Sequence, residues 1–223
     1  MSTLRVHAAI VVTAFSVVFM WSANTHAASI TVAATDAIFL AGRTDVTIAP
    51  AGIPPSGYPL LRNSPPGTQA ESFPTAISAM PGNVFEFLAS GTVNYNDEVT
   101  QSPPVFSPDG GFAVTIGNLA GISDYQGPGG ALLGIFLDAS NPASSIAPTT
   151  LNFSTIGTSF STLHPGLGQV FFIGDGLTGT GTGSEQNFVA PTGATRLFIA
   201  VADAPGFSGP PGAYDDNAGS YHA

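Results

Sequence analysis

The sequence predicts an all-β fold, an antiparallel β-sandwich of the jelly-roll type. Short runs of β-branched and aromatic residues alternate with turns rich in Gly, Pro, Asn and Asp. No segment keeps a helical hydrophobic period over three turns. The 27 Gly and 19 Pro also disfavour long helices, whereas 16 Phe and many Val, Ile and Leu supply enough apolar side chains for a core. Many short strands with regular turns are typical of sandwiches and jelly rolls.

The predicted strands follow one another along the chain, each ending at a turn signal. They are SITVAAT (29–35), DAIFLAG (36–42), TDVTIAP (44–50), PTAISAM (74–80), NVFEFLASGTVNY (83–95), GFAVTIG (111–117), ALLGIFLD (131–138), TLNFST (150–155), QVFFIGD (169–175), SEQNFVAP (184–191) and TRLFIAVA (195–202). The Pro-rich stretch 52–73 is predicted to be a long loop within one domain, because the runs on either side are too small to form separate cores.

Residues 1–27 have the features of a secretory signal peptide. Arg5 precedes the apolar stretch Ala8 to Trp21, and Thr25-His26-Ala27 fits a small-x-small cleavage pattern. We therefore expect a secreted or cell-surface protein whose single domain spans 28–223. The last residues, GSYHA, resemble the start of a strand, so the natural chain is expected to continue beyond them.

Charge limits the partners that the mature chain can have. Its 14 acids face only Arg43, Arg62 and Arg196, a net charge of −11, and the chain contains no Lys. Nucleic acids and anionic membranes both need Lys and Arg for binding, so neither is expected as a partner. No second stretch of about 18 apolar residues follows the signal. The absence of Cys excludes thiol catalysis and iron–sulfur clusters.

The loop DAPGFSGPPGAYDDNAGSY (203–221), called the closing loop here, carries Asp203, Asp215, Asp216 and Asn217 without any Lys or Arg. Such acids are either solvated separately or held around a cation. Calcium takes about six to eight oxygen ligands from carboxylates, amides, backbone carbonyls and water. A strand directly before Asp203 would hold its carboxylate in place, and Asn and Asp tolerate the unusual backbone angles of the following turn.

Other motifs do not indicate catalysis. The stretch GDGLTGTGTGSE (174–185) contains G-x-G-x-x-G but has no helical pattern after it, so it is predicted to be a hairpin loop rather than a nucleotide site. His164 precedes Pro and Gly and is interpreted as a loop residue. Asp97, Glu98 and Asp109 could contribute to a glycosidase pair, which needs carboxyls about 5–10 Å apart. The sequence gives no such distance, and we expect no enzyme.

Two blocks together resemble the calcium-dependent galactophilic lectins of bacteria. AISAMPGNVFEFLASGTVNY (76–95) is similar to their early strands, and the closing loop is similar to the second half of their calcium site. ALLGIFLD, QVFFIGDGLTGTGTG and GAYDDNAGSY also resemble exported bacterial proteins of this lectin-like type, many with a C-terminal Pro-Glu-Pro sorting signal, which does not occur within these residues. The resemblance implies a jelly-roll sandwich in which Ca²⁺ bridges protein and sugar.

The resemblance also implies ligands. Tyr95 and Ala213 would provide backbone carbonyls, and Asp203, Asp216 and Asn217 would provide side-chain oxygens, with Gly219 closing the motif. The same residues except Ala213 are the implied carbohydrate contacts. Asp109 joins them because it lies in the turn SPDGG, where the family carries a sugar-binding turn.

That turn differs from the family. Ser107 and Gly110 stand where the lectins carry a His and a Gln that bind sugar, and the closing loop has GFSGPP inserted. The aromatic residues Tyr95, Tyr125, Phe207 and Tyr214 are candidates for packing on the apolar face of a sugar.

Three functions follow from these observations. The first is an exported calcium-dependent protein that binds carbohydrate or exopolysaccharide. The second is a surface or matrix protein in which the calcium only stabilises the fold. The third, which lacks an identifiable catalytic pair, is a secreted glycoside hydrolase.

Overall fold

The computed structural model of the chain describes residues 28–48, 50, 69–95 and 105–223. The predicted signal peptide, most of the predicted loop 52–73, and the candidate acids Asp97 and Glu98 lie outside the described residues. None of the helices in the described part is long and apolar enough to cross a membrane.

Short strands account for most of the regular structure. In chain order they are β1 (Thr31–Ala33), β2 (Ala76–Ser78), β3 (Val84–Phe85), β4 (Ser90–Asn94), β5 (Val105–Phe106), β6 (Ala113–Ile116), β7 (Tyr125–Pro128), β8 (Leu132–Leu137), β9 (Thr162–Leu163), β10 (Val170–Phe172), β11 (Leu177–Gly179), β12 (Thr182–Glu185), β13 (Asn187–Val189), β14 (Arg196–Val201), β15 (Ser208–Gly209) and β16 (Ala218–His222). The helices are α1 (Phe153–Ile156) and the 3-10 turns Ile38–Leu40, Pro142–Ser144, Pro205–Phe207 and Tyr214–Asp216.

Two four-stranded antiparallel sheets form the main framework. Their strand orders are β1-β16-β4-β5 and β10-β8-β14-β2. Three smaller sheets complete the structure: the β11-β12 hairpin, β3-β13-β9 and β15-β6-β7, of which the β13–β9 and β15–β6 pairs are parallel. The predicted all-β class is confirmed, and the jelly-roll topology stays a prediction.

The core is centred on the β8–β14 pair. Leu197 lies opposite Phe136, and Val201 lies opposite Leu132. Every residue of β8 is buried, as is β14 from Leu197 onward. Because both faces of these strands are covered, their sequences are continuously apolar rather than alternating. The C-terminal end of β14, where Asp203 follows, is therefore anchored in the most buried part of the fold.

Several of the predicted strands are wrong or divided. The run 36–42 forms the 3-10 turn Ile38–Leu40, whose three side chains are fully buried, so packing on all sides replaces sheet pairing. The run 150–155 instead forms α1. Asn152 caps the first turn of this helix, because its side chain accepts a hydrogen bond from the Ser154 amide. The described residues of 44–50 belong to no strand. The long run 83–95 is divided into β3 and β4.

Candidate metal and carbohydrate site

The closing loop connects the two four-stranded sheets. It leaves β14, passes through the 3-10 turns Pro205–Phe207 and Tyr214–Asp216, and enters β16. The Gly212 amide donates to the Asp203 carbonyl (3.3 Å), and the Asp203 amide donates to the phenol oxygen of Tyr214 (2.8 Å). These bonds draw the two acidic ends of the loop together, so Asp203 lies beside Asp216 and Asn217.

The acids of this loop are buried. Asp203 is 3% exposed and Asn217 is 1% exposed, and Asp215 and Asp216 are also buried. Burial raises the pKa of the Asp203 carboxyl well above its ordinary value, and the neighbouring charge of Asp216 raises it further. Hydrogen bonds from the Asn217 side chain and the Ala204 amide (2.7 Å) act in the opposite direction. None of the described groups that act on this carboxyl is cationic.

Asn217 provides the clearest sign that an ion fits here. Its Nδ2 donates to the Ala34 carbonyl (3.1 Å), whereas its Oδ1 is buried and has no hydrogen-bond partner. A buried polar atom without a partner is costly and requires an explanation such as a bound ion or water. An amide oxygen beside carboxylates is the type of donor that calcium prefers. The residues present therefore fit a hard divalent cation.

Ala213 adopts a left-handed backbone conformation, with φ +71° and ψ 29°. For an L-residue with a side chain this conformation costs about 1–2 kcal/mol. It immediately precedes the turn Tyr214–Asp216, so it sets the direction in which the chain enters that turn. Strained non-glycine residues persist where the surroundings fix them, and they are frequent at ligand sites.

Tyr95 lies at the same site through its side chain. Burial and the charge of Asp203 raise the pKa of its phenol, which places the phenol near that carboxyl. Its ring stacks on that of Phe106, with centroids 4.5 Å apart, and its centroid lies 3.9 Å from that of the Phe207 ring. The phenol oxygen is buried without a hydrogen-bond partner. The structure thus brings Tyr95 to Asp203.

Asp109 does not share this neighbourhood. Its Oδ1 accepts a hydrogen bond from the Asp175 amide (3.0 Å), and its carboxyl interacts with the side chains of Asp175 and Thr180. Burial is the main cause that raises its pKa. Asp109 therefore belongs to a second polar site at the β11-β12 hairpin, whereas the other predicted residues gather at the closing loop.

Glu71 is a site residue that the sequence did not reveal. It is buried, and its charge raises the pKa of both Asp203 and Tyr214. Its segment is tied to the closing loop, because Gln69 donates from its amide to the Asp215 carbonyl (3.1 Å) and from Nε2 to the Asn217 carbonyl (2.7 Å). A single Glu in a Pro-rich stretch carries no pattern that would mark it.

The aromatic candidates differ in accessibility. Tyr125 and Tyr214 are fully buried, so neither offers a ring face to a sugar. Phe207 is half-buried, and Phe112, which the sequence did not mark, is 52% exposed and meets Phe207 edge-on at 5.2 Å between centroids. Tyr95, Phe207 and Phe112 therefore form a continuous row of rings from the Asp203 carboxyl to the surface.

Among the described residues, carboxylates alone do not form a metal site. In the ranges that the structure describes, no group of three or more His, Cys, Asp or Glu side chains is arranged to hold a metal ion. A cation at the closing loop would therefore depend on amide and backbone carbonyl oxygens in addition to two carboxylates.

Comparison of the chain with protein-family models finds no match, and neither curated proteins nor solved structures show a significant similarity to it.

Proposed function

We propose that this chain is an exported, calcium-dependent carbohydrate-binding protein. The observation that carries the proposal is the buried closing-loop cluster, in which the Asn217 Oδ1 lacks a partner beside the carboxyl of Asp203. A carboxylate as deeply buried as that of Asp203, beside a second acid, is unfavourable unless a cation compensates it. The sequence resemblance to calcium-dependent lectins supports the same chemistry.

The ion would be held by the Asp203 and Asp216 carboxylates, the Asn217 Oδ1 and the carbonyls of Tyr95 and Ala213. When bound, calcium accepts sugar hydroxyls as further oxygen ligands. The chain itself orients these donors: the Ala204 amide holds the Asp203 carboxylate, and the Ala34 carbonyl holds the Asn217 amide with its Oδ1 left available. Rigid neighbours of this kind keep a binding site preorganised.

The row of rings described above supports the carbohydrate part of the proposal. Aromatic faces pack on the apolar C–H face of a sugar. Phe112 provides the accessible ring, and the ring of Phe207 packs against it edge-on. A sugar bound by the ion would then have an aromatic contact within the same surface.

The decisive experiment is a glycan array on the mature chain, once with calcium and once with chelator. We expect glycan binding with calcium only, loss of binding in Asp203→Asn, and weaker binding in Phe112→Ala with unchanged calcium affinity by isothermal titration calorimetry. The exposed Ile146→Ala variant, at 95% exposure, is the matched control for loss of a surface hydrophobic residue. Folded protein that binds no glycan in either condition would refute carbohydrate binding.

The depth of the cluster favours a second candidate, in which calcium only stabilises a surface or matrix protein. Asp203 and Asn217 present almost no surface to a ligand as large as a sugar. A buried ion would stabilise the folded state by mass action. Calcium that raises the melting temperature of a protein with a blank glycan array would establish this function.

Asp109 and Asp175 do not form the carboxyl pair that the glycosidase hypothesis requires. Asp109 and Asp175 interact through a side-chain hydrogen bond. Such contact is closer than the separation of about 5 Å or more that glycosidase carboxyls need.

A further inference from the structure

A polar cavity lies between the turn SPDGG and the β11-β12 hairpin. Its volume is about 290 Å³, and Asp109, Thr158, Ser159, Thr178 and Thr180 line it together with Phe172. The space exceeds what one or two structural waters would fill, at about 30 Å³ each. It lies near the lower end of the range of small-molecule sites, roughly 300–1,000 Å³. One ring-sized ligand therefore fits it better than a chain.

Hydrogen bonds fix the hairpin wall of this cavity. The buried Asp175 carboxylate accepts from the Leu177 amide (2.9 Å) and from the Gly181 amide (2.6 Å), so both ends of the turn are held. Thr178 Oγ1 accepts from the Ser184 amide (3.1 Å), which leaves its own hydrogen available as a donor. The Thr178 and Thr180 positions are thus set before any ligand arrives.

The lining segment that contains Thr158 and Ser159 is fixed in the same manner. The side chain of Gln186 is fully buried, and its Nε2 donates to the carbonyls of Thr158 (2.8 Å) and Phe160 (2.7 Å). The Asp175 amide donates to Asp109 Oδ1 (3.0 Å), which holds the Asp109 carboxyl of the turn SPDGG in place. A site held by its own framework loses little conformational entropy on binding.

The lining determines the ligand class. The described residues of the lining include four with hydroxyl side chains and one with a carboxyl, and none of these described residues is Lys, Arg or His. Anionic ligands such as phosphates would be repelled by Asp109, and an apolar ligand would leave the hydroxyls without partners. Each hydroxyl both donates and accepts, as the hydroxyls of a sugar do. A neutral polyhydroxylated ring matches this arrangement.

The cavity is separate from the closing-loop cluster. Asp203, Asp216 and Asn217 do not line it. The side chains that act on the Asp109 carboxyl are Asp175 and Thr180, and neither acts on Asp203.

We propose that this cavity is a second, calcium-independent binding site for a single neutral sugar ring, with Asp109 and Thr180 as its principal hydrogen-bonding side chains. It goes beyond the calcium-dependent site and does not require it.

The test is saturation-transfer NMR with free galactose, glucose, mannose and N-acetylglucosamine, each in excess chelator. We expect at least one sugar to receive saturation, and its dissociation constant to rise at least tenfold in Asp109→Asn and in Thr180→Val. Asn keeps the acceptor for the Asp175 amide, and Val keeps the shape of Thr, so both variants should fold. Thr182→Val, on the same hairpin but outside the cavity lining, is the matched control and should bind as the unaltered protein does.

The outcomes separate the two sites. Absence of saturation for every sugar in chelator, with folded protein, would overturn this proposal, as would binding that neither cavity variant weakens. Glycan binding that requires calcium and is lost in Asp203→Asn would then support the closing-loop site alone. Binding that persists in chelator, together with no response to calcium, would support the cavity and refute the calcium-dependent function.

Discussion

The phenol oxygen of Tyr214 lies 2.8 Å from the amide nitrogen of Asp203 and 3.2 Å from the carbonyl oxygen of Val201. It accepts a hydrogen bond from the first and donates one to the second. Tyr214 is fully buried, so water does not replace either bond. One side chain thus fixes the turn Tyr214–Asp216 against the end of β14 and holds Asp203 beside Asp216.

Replacement of Tyr214 by Phe should therefore affect both stability and calcium binding. The Asp203 amide and the Val201 carbonyl would be left buried without this partner, at a cost of about 1–3 kcal/mol in the free energy of unfolding. The released Asp203 backbone should also weaken calcium binding. Urea denaturation in chelator and calorimetric titration with calcium measure the two effects.

Tyr125→Phe is the matched control for this variant. Tyr125 is equally buried, and its phenol donates to the Pro128 carbonyl (2.9 Å) far from the closing loop in sequence. It should lose stability without losing calcium affinity. Equal calcium affinities in the two variants would show that Tyr214 does not position the cluster.

Asp203→Asn should not destabilise the metal-free protein, whereas most substitutions of buried residues do destabilise. In chelator at neutral pH, the variant removes a buried carboxyl that faces Asp216 and Glu71, while its amide oxygen still accepts from Ala204. We expect the metal-free protein to unfold at the same or a higher urea concentration. The stabilisation by calcium, about 2.7 kcal/mol at 100 times the dissociation constant, should disappear.

The exposed Asp138→Asn variant serves as the charge control. It changes the net charge by the same amount as Asp203→Asn, but it should keep the response to calcium. A calcium-dependent melting temperature that survives in Asp203→Asn would exclude Asp203 as a ligand.

The sequence predicts best where local pattern and burial agree. The predicted runs 131–138 and 195–202 match β8 and β14 within one residue at each end, because strands covered on both faces are apolar throughout. The run 36–42 has the same apolar character but forms only isolated bridges at Asp36 and Ala37 followed by a 3-10 turn, since burial on all sides produces the same pattern without a strand. Hydrophobic runs identify burial more reliably than they identify strands.

The site shows the same limit. Sequence spacing places Asp203 and Asp216 in one loop, but their burial and the electrostatic effect of Glu71 on Asp203 arise only from packing. The association of Asp109 with Asp175 connects turns 66 residues apart, for which no local signal exists. Tertiary contacts therefore decide which acids belong together.

The metal-free protein should lose stability as pH rises above about 4. Asp36, Asp109 and Asp203 all have pKa values raised from 3.8, chiefly by burial. Between 3.8 and each raised pKa the folded state binds more protons than the unfolded state, so the free energy of unfolding falls with increasing pH. The described titratable groups that interact with Asp203 are Asp216, Glu71, Tyr95 and Tyr214, and none of these four is cationic.

Two other carboxyls have lowered pKa values, so they change the free energy of unfolding in the opposite direction. They do so only in a lower pH range. Hydrogen bonds from Arg43 and Ser140 lower the pKa values of Asp45 and Asp138 respectively, so their stabilisation is lost only as pH falls below 3.8. Urea midpoints in chelator from pH 4 to pH 8 measure the balance. A midpoint that rises across this range would contradict the burial of these acids.

Ala213→Gly should stabilise the protein while leaving its proposed ligand intact. The left-handed conformation at φ +71° strains Ala but not Gly, and the expected role of residue 213 uses only the backbone carbonyl. Relief of the strain, less the greater entropy of Gly in the unfolded chain, gives a net gain of up to about 1 kcal/mol. Calcium affinity by calorimetry should stay within a factor of about three. Ala213→Val places a β-branched side chain in the same conformation, so it should lose stability and calcium affinity together. If Ala213→Gly instead abolished calcium binding, the rigidity of this residue rather than its carbonyl would be what the ion requires.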